Sequence, residues 1–206
     1  MKLFGTTASN NLRRCWAVAL HLGIPVEVVE VMPLTAAANT AEFRRLSPSG
    51  RVPALLDGEL ALTESHAIML YFAGLKGDRL WPGDNLDRAR VMSWMSWALA
   101  HWHPGWQPLQ WENFIKPGIY GGQTDAAKVT EAEGLFHREA KLLDDHLRGR
   151  EWLVGQELTL ADFSVAAGLS FAVESRLPLE LYPDIRAWYG RMERLPAWKA
   201  STPRRQ

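Results

Sequence analysis

The sequence predicts a two-part protein, a small α/β domain over residues 1–76 and an all-helical domain over 87–206, joined by a linker at 77–86. Three observations predict it. The chain opens with strand, helix and strand on short connections, which implies a parallel βαβ unit with a right-handed crossover. Residues 50–67, GRVPALLDGELALTESHA, read as strand, tight turn, strand and helix start. Beyond Asp87 the apolar spacing is helical, with no convincing strand.

Lys2 to Gly5 is the first strand and Thr6 to Asn11 a polar turn. Leu12 to Leu22 is a helix that Gly23 stops, with Pro25 just past it. Val26 to Val31 alternates at period two, as a strand does. A second helix falls around Asn39 to Leu46. Val52-Pro53 opens the next strand, and Asp57-Gly58 supplies a two-residue turn of type I′, which needs φ > 0 at both central positions. After the return strand, Thr63 is the expected cap of a helix over Glu64 to Leu75, with Glu64 in its first turn. The order of the first domain is therefore β-α-β-α-β-β-α.

In the second part, helices are expected over Leu86 to His103, Thr124 to Leu147, Thr159 to Phe171 and Pro183 to Leu195. Pro104 and Pro108 should bend or break the first of these. Thr159 caps its helix. Asp162 sits at the third helical position, where its carboxylate reaches back to the cap, and Leu158 and Phe163 form a hydrophobic staple. Losing such a cap costs about 0.5–2 kcal/mol.

Composition narrows the function. Apolar residues make up 47% of 206, enough for a sizeable core, and 23 basic side chains balance 23 acidic ones. A nucleic-acid or anionic-membrane partner needs a basic surface, so neither is expected. No apolar run reaches the ~18 residues of a membrane span. The single cysteine, Cys15, excludes an internal disulfide and fits a reducing, cytoplasmic compartment. His101 and His103 point apart on a helix, and no other cluster has ligand spacing, so no metal is expected.

The hairpin region carries the chemistry. A helix start with free N–H groups and the Ser65 hydroxyl is a natural carboxylate site. Pro53 leaves its strand without a donor, so backbone groups nearby stay open. Together they form a cradle for an extended, anionic, peptide-like ligand.

The opening strand-helix-strand, Gly50-Arg51-Val52-Pro53, Glu64-Ser65 and Leu158-Thr159-Leu160-Ala161-Asp162, in this order and spacing, resemble the soluble glutathione S-transferases over nearly the whole chain. The resemblance implies a thioredoxin-like first domain that binds glutathione, a helical second domain, an electrophilic co-substrate in the cleft between, and a homodimer. Thr7-Ala8-Ser9-Asn10-Asn11-Leu12-Arg13-Arg14 is similar to the serine-type branch (theta, phi and related bacterial members), in which a serine follows the first strand. Branches that use a cysteine carry it there, whereas Cys15 lies about six residues later, inside the helix, where a buried small apolar residue is expected.

The resemblance makes Ser9 the catalytic hydroxyl, which donates to the glutathione thiolate; Thr6 and Thr7 are rival hydroxyls. The plain reading of Ser9 is the N-cap of the helix that follows, and both roles coexist. Arg51, Val52, Pro53, Glu64 and Ser65 become the glutathione-binding residues. Val52 pairs through its backbone across a cis bond to Pro53, although X–Pro bonds are cis in only ~5–6% of cases. Ser65 takes the γ-glutamyl carboxylate. Glu64 either faces the ammonium or complements the helix dipole. Relatives often carry basic residues near the second helix for the glycyl carboxylate. Residues 34–40 have none, so Arg13, Arg44 or Arg45 would substitute, or affinity is low. Trp94 and Trp97 are expected in the core, while Trp102, His103, Trp106 and Trp111 are candidates for an aromatic co-substrate pocket.

The expected function is glutathione transfer to small hydrophobic electrophiles in detoxification, with glutathione as co-substrate. A glutathione-dependent peroxidase or isomerase on the same site is one alternative. A non-catalytic interaction module that kept the fold is the other.

Overall fold

The computed structural model describes residues 1–33, 35–77 and 79–202. The chain divides into two units. One holds residues 1–83 together with the chain from Arg194 onward, and the other holds Asp84–Glu193.

The first unit is built on a four-stranded mixed sheet. β1 (Lys2–Gly5) leads through α1 (Asn10–His21) to β2 (Glu27–Glu30), which pairs parallel to β1. A 3-10 turn over Ala36–Asn39 precedes α2 (Ala41–Leu46). β3 (Ala54–Asp57) and β4 (Leu60–Thr63) form an antiparallel hairpin, and α3 (Ser65–Leu75) follows. The strand order is β2-β1-β3-β4. Successive strand residues face opposite ways. Phe4 and Ala54 join Val31, Ala38 and Phe43 in a cluster beneath α2. Leu3 and Leu55, paired across β1 and β3, are fully buried on the other face, where α1 and α3 pack together.

Three expectations for this unit are corrected. The hairpin turn is Gly58-Glu59, because Asp57 pairs with Leu60. Only Gly58 has positive φ (58°), the pattern of a type II′ turn rather than I′. Thr63 does not cap α3. It is the last residue of β4, opposite Ala54, and Glu64 is the cap residue. The helical domain does not run to the C-terminus. A further helix, near residue 198, docks on α1 within the first unit: the Arg13 guanidinium donates to Trp198 O at 3.2 Å and lies 4.1 Å over the Trp198 ring. A lone five-residue helix gave no periodic signal from which to read this docking.

The second unit is helical. α4 (Asn85–Trp97), a π segment (Ala98–Trp102), α5 (His103–Gln110), a second π segment (Trp111–Ile115) and α6 (Lys116–Tyr120) form one uninterrupted helical run. The break expected at Pro104 and Pro108 does not occur. Pro104 and Pro117 each fall in the first turn after a π segment, and Pro108 lies inside α5, which continues through it. The run ends at Gly121, whose φ of 67° suits glycine. α7 (Ala126–Leu147), α8 (Leu160–Ala166) and α9 (Pro183–Arg194) complete the unit. α10 (Pro196–Ala200) is the helix that returns to α1. Among the described residues, no helix is long and apolar enough to cross a membrane.

Asp162 organises the helical core. Its Oδ2 accepts from the Thr159 N–H (2.9 Å), the carboxylate half of the expected capping box, and also from the Thr159 hydroxyl (3.1 Å). Its Oδ1 accepts from Leu153 N–H (3.0 Å) and Trp188 Nε1–H (2.9 Å). Burial pushes this carboxyl above its usual range, and the four donors pull it back. Removing the carboxylate orphans buried donors on three segments, so Asp162→Ala is expected to cost about 3–5 kcal/mol. Thr159→Ala should cost about 1 kcal/mol. Equal costs in denaturant unfolding would reduce Asp162 to an ordinary cap.

Candidate functional site

The junction of β1 and α1 positions the first functional group. Gly5 ends β1 with φ 154°, and a Cβ there would stand 2.6 Å from Leu12 Cδ1 and 3.2 Å from Val52 Cβ. Its bare backbone lets the first turn of α1 and the Val52 segment meet at the end of the strand. Ser9 is the N-cap of α1. Its Oγ accepts from Leu12 N–H at 3.4 Å, and its own N–H donates to Thr6 O at 2.9 Å. Capping uses the hydroxyl only as an acceptor, so its proton remains available to a ligand. Of the rival hydroxyls, Thr6 is buried and accepts from Ala8 N–H at 3.3 Å, whereas Thr7 is half-buried.

The Val52-Pro53 bond is cis. Pro53 is buried and Val52 half-buried, and Val52 lies beyond the last β1–β3 pair, Phe4 with Ala54. Among the described residues, neither its N–H nor its C=O has a hydrogen-bond partner. The preceding loop is firmly built. Ser47 Oγ donates to Arg51 O at 2.8 Å, and Arg51 N–H donates to Ser49 Oγ at 3.3 Å. Gly50 has φ 66°, with the Arg44 guanidinium and Ala38 O within 3.0 Å of where a Cβ would stand. The Arg51 side chain is exposed.

At α3, Ser65 is the first helical residue and is 6% exposed. Its hydroxyl has no partner among the described residues, and its carbonyl accepts from Cys15 Sγ–H at 3.3 Å, which ties α1 to the start of α3. Cys15 is fully buried, and desolvation pushes its thiol up, away from the reactive thiolate. Glu64 is exposed, with φ 68° and ψ 117°, and its side chain makes no cap hydrogen bond. A non-glycine residue in this region stores about 1–3 kcal/mol.

Other expected residues lie elsewhere. Arg13 is committed to Trp198 and to Thr202 Oγ1 (3.4 Å). Arg44 donates to Pro48 O (2.6 Å) and Asn39 Oδ1 (2.7 Å), and Arg45 is exposed. Trp102 and Trp106 are 1% and 3% exposed in the helical core. Trp102 Nε1–H donates to Val165 O at 3.1 Å and its ring stacks on Trp97 at 5.7 Å. A Cβ on Gly168 would stand within 2.7 Å of the indole nitrogen of both Trp102 and Trp106. These two rings therefore fill the core against a bare backbone rather than line an open pocket. His103 is half-buried and edge-on to Trp106, and Trp111 is exposed against Tyr120. Trp94 and Trp97 pack edge to face at 5.0 Å, but both are half-buried rather than in the core where they were expected.

Sequence reasoning missed one pair. Arg14 is 1% exposed and donates to His66 Nε2 at 2.9 Å. Four residues before Val18, it sits on the stripe of α1 that buries apolar side chains, and a charge at that position was the available signal.

The chain is similar to known proteins over nearly its whole length. The N-terminal domain of glutathione S-transferases matches residues 3–79 and the C-terminal domain residues 98–196. Glutathione S-transferase 3 of Zea mays is 31% identical over 97% of this chain and 91% of its own length. This chain belongs to the glutathione S-transferase family. Its activity class is accordingly glutathione transfer. A solved glutathione S-transferase I bound with lactoylglutathione superposes with a TM-score of 0.90 at 29% identity, covering 98% of this chain and 97% of that one. A theta class glutathione S-transferase from Xanthomonas axonopodis pv. citri, with glutathione bound, gives 0.87 at 26% identity, covering 99% and 97%. The thioredoxin-like first domain and the helical second domain of the transferase fold are both present.

If the Glu64 backbone is strained to serve the ligand, Glu64→Gly should leave unfolding stability unchanged or raise it by up to about 1 kcal/mol while glutathione affinity falls. A stability loss above about 1 kcal/mol would instead make the Glu64 side chain a structural part of the turn.

Proposed function

We propose that the transferase site of this chain ionises the glutathione thiol with the Ser9 hydroxyl. A free thiol has pKa about 8.5, so only a small fraction is thiolate at neutral pH. Each unit of lowering is worth about 1.4 kcal/mol. The Ser9 O–H donates to sulfur at the N-terminus of α1, where the helix dipole also favours an anion. The open Val52 N–H and C=O pair with the cysteinyl backbone of the tripeptide. The Ser65 hydroxyl and the N-terminus of α3 hold the γ-glutamyl carboxylate, and Glu64 faces the ammonium. The observation that carries this reading is that the Ser9 hydroxyl proton is not used by the cap and that the Val52 backbone groups and the Ser65 hydroxyl have no partner among the described residues, all on one packed unit. Relatives whose structures hold glutathione or an atrazine glutathione conjugate support the same ligand class and a small hydrophobic electrophile.

Ser9→Ala should lower kcat/KM for a generic aryl halide by about 10²–10³-fold, the usual loss for one donor to a developing anion. The pH–rate inflection should move upward by about one unit, because the thiol loses its donor. Thr7→Ala should stay within about threefold of wild type. Full activity in the Ser9 variant, or the upward shift in the Thr7 variant instead, would move the role to another group.

The glycyl carboxylate meets only exposed cations. With Arg13 and Arg44 committed elsewhere, Arg45 and Arg51 are the side chains that can serve it. Overall glutathione affinity should therefore be modest and weaken with salt. Submicromolar, salt-independent binding in calorimetry would contradict this.

The protein acts as a cytoplasmic, detoxifying homodimer in this reading. Exposed large apolar side chains support the dimer: Leu60 and Leu75 on the first unit, and Met92 and Leu99, seven residues apart in one helical run, on the second. Sedimentation should give twice the chain mass, and the Met92→Glu, Leu99→Glu double variant should halve it. A monomeric wild-type mass would remove the dimer.

A further inference from the structure

Arg14 is a cation buried almost without compensation. It is 1% exposed and, among the described residues, its Nε has no hydrogen-bond partner and its one polar contact is the donation from Nη1 to His66 Nε2. No carboxylate pairs with it among the described residues. His66 does not share the charge. It accepts from Arg14 through Nε2, and desolvation together with the neighbouring guanidinium pushes its pKa down to about 3, so it is neutral. Burial lowers Arg14 itself only to about 10, so it stays charged at neutral pH. A buried, unpaired charge is unfavourable, and a well-packed neutral residue in its place is often neutral or stabilising. The fold alone therefore gives no reason for Arg14.

The position of Arg14 does. His66 is the second residue of α3, directly after Ser65, and the residue next to Arg14, Cys15, donates to Ser65 O. Two consecutive residues of α1 thus hold two consecutive residues of the first turn of α3, next to the Ser65 hydroxyl, which has no partner among the described residues. The eleven-residue α3 directs its unsatisfied N–H groups the same way. We propose that Arg14 is a positioning residue for glutathione: its buried guanidinium, tied through His66 to the first turn of α3, is the countercharge for the carboxylate that binds at Ser65. The proposal rests on the glutathione reading above and deepens it. Arg14 does not touch the ligand. It acts through His66 and through the field at the helix start, where low polarisability leaves a charge weakly screened.

The test compares glutathione with its γ-glutamyl α-carboxamide analogue, which lacks only that negative charge, by calorimetric binding to the full-length protein. Wild type should prefer glutathione by about tenfold or more, the scale of one unit of charge interaction. Arg14→Gln retains a donor for His66 and removes the charge. It should weaken glutathione about tenfold, leave the amide analogue within about threefold, and not lower the thermal midpoint. Arg14→Lys should retain the preference. Equal loss for both ligands, or no loss for either, overturns the proposal. Should the neutral variant not fold, wild type decides. A preference carried by a buried charge persists within about threefold between about 0.05 and about 1 M salt. A preference that collapses with salt belongs to exposed cations such as Arg51 and overturns the proposal. A folded wild-type protein that binds neither ligand overturns the glutathione reading itself, a different result from binding both equally.

Discussion

The site depends on a close approach at the end of β1. Gly5 has no side chain, and the space a Cβ would take is filled by Leu12 from α1 and Val52 from the loop before β3. That contact sets the start of α1 against the segment that carries the cis Val52-Pro53 bond. A second tie, Cys15 Sγ–H to Ser65 O, sets the same helix against the start of α3. α1 is thus the common reference for the Ser9 hydroxyl, the open Val52 backbone and the Ser65 helix start, because its buried face is packed at near-crystalline density and tolerates little adjustment.

The buried charges divide into two kinds. Asp162 is surrounded by donors, and its four hydrogen bonds join the 153 loop, the cap of α8 and α9. Arg13 donates to a carbonyl and a hydroxyl and lies over the face of Trp198, and it fixes the returning C-terminal helix to α1. Both are explained by stability. Arg14, one residue along, holds a single neutral partner while equally buried. The contrast separates charges that maintain the fold from one whose use lies in the site.

Much of the first unit was legible because its signals are local. Period-two alternation marked the strands and Gly23 the end of α1; in the second unit, Thr159 and Asp162 marked the capping box. The turn slipped by one residue because Asp57-Gly58 and Gly58-Glu59 both contain the required glycine, and strand register decides between them. Thr63 was misjudged as a cap for a related reason: it is held by β4, and Glu64 takes the positive φ instead. The prolines of α5 and α6 misled because local chemistry predicts a break, whereas the run continues through Pro104, Pro108 and Pro117, with a π segment just before Pro104 and another just before Pro117. The tryptophans misled in the opposite sense. Aromatics crowded around Pro104 and Pro108 read as a pocket wall, but Gly168 opens a slot for Trp102 and Trp106 from a segment more than sixty residues away.

The sequence by itself determined the family, the order of elements and the polar groups offered to glutathione, since motif, turn and cap signals depend on neighbours within a few residues. Tertiary structure alone decided which of those groups are free. Whether Arg13, Arg14, Arg44 or Arg51 has a charge to spare is a matter of what each touches across the fold: Trp198, His66, Pro48 and solvent respectively. Identical side chains a few positions apart differ in role because the strength of a charge is set by its burial and its partners, and both come from packing between segments distant in the chain.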